Sequence, residues 1–143
     1  MNLYKTLKDK QSKEFNNFPM MFAFSNEQFK EGMEKLGLKV TDTDKIYSLG
    51  GGGYYKKSDQ KHLTEMTDRH EKEFNNYIAS DITGDNFIYD MFYYELANHE
   101  YGYTYDVEDT LNSLDLTMES INKNPSLIHG LYKACNDIKH TYY

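Results

Sequence analysis

The chain has 143 residues, a formal net charge of −7 and 15% aromatic residues, enough for one domain with a continuous core. One cysteine excludes an internal disulfide, and no apolar run approaches the ~20 residues that a membrane-spanning helix needs. A single arginine, Arg69, in an acidic chain argues against direct nucleic-acid binding, which draws on Lys and Arg to neutralise phosphates.

Residues 3–17 carry Leu3, Leu7 and Phe15 among Lys and Glu, the pattern of a short amphipathic helix. The start, Met1-Asn2-Leu3-Tyr4-Lys5, has no apolar signal core, and the lone Cys135 fits a reducing cytoplasm. The aromatic run near 19–24 predicts a strand. Ser25, with Gln28 three residues on, predicts the N-terminus of a helix that carries Phe29, Met33 and Leu36 and stops at Gly37. Two further strands, near 45–49 and 53–57, flank Gly50-Gly51-Gly52-Gly53 as a hairpin. Ser58 or Asp59 then caps a long charged helix to about Ala79, with Leu63, Met66, His70, Phe74 and Tyr77 on one stripe.

After a turn at 81–84, Asp85 is expected to cap a very apolar helix from Asn86 to about His99. Asp106 and Thr117 each cap a short helix, the first with Leu111 and Leu114, the second with Met118 and Ile121. Pro125 opens the last helix, on which Cys135 sits among Leu131, Ala134 and Ile138 as a buried small hydrophobe. The expectation is a single domain over 1–143, α+β and mostly helical, with about six helices and a small antiparallel sheet.

Charge is distributed unevenly. Residues 73–122 hold eleven carboxylates and seven tyrosines without one Lys or Arg, whereas 1–72 and 123–143 are close to neutral. Such a block suits a cationic partner surface. Tyr101, Tyr103 and Tyr105 with Asp106, Glu108, Asp109 and Asp115 are the expected partner-binding residues, the tyrosines supplying area at low entropy cost.

Met21-Phe22-Ala23-Phe24-Ser25-Asn26-Glu27-Gln28-Phe29, the glycine run followed by tyrosine, and above all the stretch from Tyr94 through Asn98-His99-Glu100-Tyr101 to Asp106 resemble a known group. It is a family of small uncharacterised proteins from phages and prophages of low-G/C Gram-positive bacteria, and the resemblance covers roughly residues 18–137. That family brings no agreed activity or catalytic residues. Its context implies a counter-defence protein in the host cytoplasm, by association rather than by chemistry. The function expected is inhibition of a host immune effector, such as a CRISPR or restriction nuclease, through occupation of its basic groove by the acidic face.

Two alternatives use other residues. Gly51 and Gly52 could cradle phosphate with Lys56 and Lys57 while Tyr54 stacks on a base, making an oligomeric sponge for a cyclic-nucleotide signal. Walker A is absent, however, because the glycines run into a strand. Glu95 and His99, four apart on one helix face, are the weak candidates for a metal-dependent enzyme, with Asp106 or Asp109 folding back. No HExxH pattern or second histidine pair supports them, and no nucleophile is identified: Ser113 and Thr104 lack any motif. The competing expectation is that His99 caps the helix end or hydrogen-bonds Asp106. Neither a cofactor nor a bound metal is expected, and His62, His70, His129 and His140 are read as core or solvated residues.

Overall fold

A computed structural model of the protein describes residues 1–142, and for Tyr142 the backbone alone. The elements run α1 (Leu3–Asn16), β1 (Met21–Phe22), α2 (Asn26–Lys35), β2 (Ile46–Gly50), β3 (Gly53–Lys56), α3 (Gln60–Ser80) and α4 (Phe87–Asn98). Then follow α5 (Tyr101–Thr104), α6 (Glu108–Ser113), α7 (Met118–Asn122) and α8 (Pro125–Tyr142). The protein is mostly helical α+β, 67% helix with a three-stranded antiparallel sheet. Among the described residues eight α-helices stand where about six were expected. One addition, α5, is a single turn between two left-handed residues, too short to leave a periodic signal.

Residue contacts divide the chain into two compact units, one of residues 11–71 and one of residues 1–10 with the chain from 72 onward. In the first, β3 is the central strand, pairing Met21 with Tyr54 on one side and Tyr47 with Tyr55 on the other. The strand expected near 19–24 shortens to two residues. Met21, Met33 and Leu36 form one small core, and Tyr55, Leu63 and Met66 another. Gly32 lets Met21 lie on α2, since a Cβ there would fall 2.6 Å from the Met21 sulfur. Ser25 caps α2 as expected, accepting from the Gln28 amide at 3.2 Å. Gly37 ends that helix at φ 76°, with the Leu38 amide bonded to Met33 O at 2.8 Å.

The second unit is built around α4, whose Phe87, Ile88, Met91, Phe92 and Leu96 are buried while Ala97 and Asn98 at its end are exposed. Ile88, Met91, Phe92 and Leu96 are fully buried, each worth about 1.5–3 kcal/mol of burial. They pack against Leu131, Ala134 and Ile138 of α8, Tyr4 and Leu7 of α1, and Leu111 and Ile121. Two glycines set how closely the chain approaches α8. A Cβ at Gly84 would meet Ser126 O at 2.2 Å, and one at Gly130 would meet Ile88 Cγ2 at 2.5 Å.

The cap of α4 is not the residue expected. Asn86 occupies the N-cap position without a capping hydrogen bond from its side chain. Asp81, buried five residues earlier, accepts instead from the amides of Gly84, Asn86 and Ile88 at 3.1, 3.0 and 2.9 Å. Asp85 points away and accepts from His129 at 2.7 Å and Lys133 at 3.0 Å on α8. Those partners hold the Asp85 carboxyl below its ordinary value, the His129 hydrogen bond foremost.

Candidate functional site

The segment between α4 and α7 is a chain of short turns fixed by local hydrogen bonds. His99 ends α4, its amide bonded to Glu95 O at 2.9 Å. Glu100 and Tyr105, in the left-handed region at φ 60° and 55°, bracket α5, and Asp115 at φ 55° closes the turn after α6. Asp106, expected to cap α6, accepts from the Glu108 amide at 2.9 Å and so covers the start of that helix, although the N-cap position itself falls one residue later on Val107. Thr117 and Ser120 form a reciprocal capping box on α7.

These turns sort the expected partner-binding residues into two sets. Tyr103, Tyr105, Asp106, Glu108, Asp109 and Asp115 are exposed, with Tyr103 at 78%. Tyr101 is not: at 4% exposure it lies in the core, hydrogen-bonded to Cys135, and burial pushes its phenol above the usual range. Cys135 is buried as expected, and burial likewise raises its thiol.

Glu95 lies beneath this segment, 3% exposed. Lys8 of α1 donates to its Oε1 at 3.2 Å, and Ser113 of α6 donates to its Oε2 at 3.1 Å. The Tyr4 hydroxyl also bonds this carboxylate, and burial followed by the Glu95 charge pushes that phenol above the usual range. Lys8 further lies over the Tyr94 ring at 5.3 Å. His99 Nε2 reaches only to 4.0 Å from Glu95 Oε2. Lys8, Tyr4 and Ser113 come from far along the chain, and no spacing in the sequence signals their meeting. The order is serine, carboxylate, imidazole, whereas a serine nucleophile needs the imidazole between the other two. Among the described residues no group of three His, Cys, Asp or Glu is arranged to hold a metal ion. Glu95 is thus a buried carboxylate with a partner on each oxygen, and His99, 28% exposed, stands beside it.

The glycine hairpin lies in the other unit. Gly50, Gly51 and Gly52 take φ of 81°, 56° and 82°, as a hairpin tip requires. Tyr54 packs edge-on against Phe29, Lys56 stands 3.9 Å from Asp59, and Lys57 lies over the Tyr47 ring at 5.0 Å. Lys56 and Lys57 line a cavity of about 230 Å³ with Lys45 and Ser58, and neither Gly51, Gly52 nor Tyr54 contributes to it.

Among the described residues no helix is long and apolar enough to cross a membrane. A family model described as a family of unknown function (DUF7659) matches residues 3–137. No curated protein and no solved structure matches the chain.

Proposed function

We propose that this chain, which belongs to the DUF7659 family of unknown function, is a non-catalytic inhibitor that binds a basic groove on a partner protein. One observation carries this reading. Tyr103, Tyr105, Asp106, Glu108, Asp109 and Asp115 are all exposed within a stretch of chain that has no Lys or Arg to neutralise it. A preformed array of carboxylates competes with nucleic acid for a Lys/Arg-lined channel, with charge setting the on-rate and the tyrosines serving as anchors. The partner proposed is a bacterial immune effector such as a CRISPR or restriction nuclease, and the setting is a phage or prophage protein acting in the host cytoplasm. Both come from the resemblance to phage proteins and from the charge.

The test is capture from a lysate of a related bacterium at low and then high salt, with the triple variant D106N/E108Q/D109N in parallel. Asn at 106 retains the α6 cap, so the variant keeps its fold. A nucleic-acid-binding effector that is held by the parent, released by salt, lost by the variant and inhibited by the parent supports the reading. Inhibition that survives the three substitutions at unchanged stability removes this face from consideration. Thermal stabilisation by a cyclic nucleotide would favour the sponge at Lys56 and Lys57 instead.

A further inference from the structure

One stripe of α8 forms the wall of an open groove of about 890 Å³, a size typical of small-ligand sites. Ile128, Tyr132 and Cys135 face Val107 and Met118 across it. Among the described residues, His129, Lys133 and Lys139 are its only charged or titratable lining groups besides the phenols and the thiol, and no carboxylate lines it. In a chain of net charge −7 that is an unusual local balance.

The three cationic positions are not equivalent. At one end His129 and Lys133 are both bonded to Asp85 and therefore largely neutralised. At the other, Lys139 Nζ lies over the Tyr101 and Tyr105 rings at 5.8 and 5.1 Å. Among the described residues no carboxylate pairs with it. The groove thus has an apolar body and one positive end that no described carboxylate compensates, separated along the helix by about 16 Å from residue 128 to residue 139.

We propose that this groove binds a small amphiphilic organic anion. Its charged group pairs with Lys139, and its planar or hydrocarbon body lies along Ile128, Tyr132 and Met118. The weak ring contacts of the ammonium are then exchanged for a direct ion pair in an apolar cleft, where charge is less screened. The groove adjoins the acidic face at Tyr105, under Lys139, but none of Asp106, Glu108 and Asp109 lines it.

The experiment is titration of 2-naphthoate into the ¹⁵N-labelled full chain, with the uncharged 2-naphthalenemethanol as the matched control. Saturable amide shifts at Met118, Ile128, Tyr132, Asn136 and Lys139 are expected, with the alcohol about fivefold weaker, the upper factor that one exposed ion pair supplies. Lys139→Gln should weaken naphthoate by a similar factor. Asn136→Asp, a carboxylate placed at an exposed lining position, should do the same and serves should the first variant fail to fold. Absence of saturation, shifts confined to other surfaces, or equal binding of acid and alcohol overturns the proposal.

Discussion

The Lys8 ammonium stands 3.2 Å from the Glu95 carboxylate, joining two helices whose pairing residues are 87 positions apart. Glu95 is 3% exposed and Lys8 is 41% exposed, so the carboxylate bears most of the desolvation while water still reaches its partner. The pair ties α1 to α4 at the point where Ser113 brings in α6. It explains why a carboxylate is tolerated among the buried residues of α4.

Removing the cation alone should therefore cost more than removing both groups. Lys8→Met is expected to destabilise by about 1–3 kcal/mol, the cost of leaving a buried acceptor short of its partner. Exposure of the lysine keeps the figure below that for a fully buried pair. In the double variant with Glu95→Leu, the two losses should fall short of additivity by at least about 0.5 kcal/mol. Guanidinium unfolding of the four proteins measures this, and additive losses would refute the coupling.

Asp81 and Asp85 offer a comparison within one turn. Asp81→Ala strands the amides of Gly84, Asn86 and Ile88 in a buried loop and should cost about 2–4 kcal/mol. Asp85→Ala removes the exposed carboxylate that His129 and Lys133 share and should cost clearly less than Asp81→Ala. Urea midpoints rank the two, and an equal or reversed order would show that Asp85 organises the turn after all.

Acid should loosen the unit formed by residues 11–71 through Glu14. Arg69, bonded to it in a two-pronged pair, and then His70 pull its carboxyl from near 4.5 down to about 2. A depressed folded-state value means the stabilisation is fully present above about pH 4.5 and is lost as the pH falls toward 2. The Glu14 carboxyl carbon should titrate with a midpoint near 2 by NMR. Arg69→Gln should move that midpoint up toward the ordinary range. A midpoint already ordinary in the parent would dismiss the pair as a stabilising contact.

Much of this was legible in local pattern. Ser25, Gly37, Thr117 and Pro125 mark helix ends correctly because a cap depends on residues within a turn of it. The α4 cap was misread for the opposite reason. Asp85 has the right residue type beside the helix start, but Asp81 reaches the same amides through a buried loop, and that path depends on Gly84 lying against Ser126 O. Likewise, Tyr101 belongs by spacing with Tyr103 and Tyr105, yet α5 turns its ring inward to Cys135.

By itself, the sequence determined the mostly helical α+β class, the hairpin, the buried Cys135 and the acidic block from 73 to 122. Each follows from residue type or from a period of a few residues, which the backbone enforces locally. Tertiary structure alone decided which tyrosines reach solvent, that Glu95 is held by Lys8, Tyr4 and Ser113, and that α8 carries an apolar groove with a cation, Lys139, that no described carboxylate pairs. Those facts arise from side chains brought together by core packing across long separations, and no local periodicity encodes them.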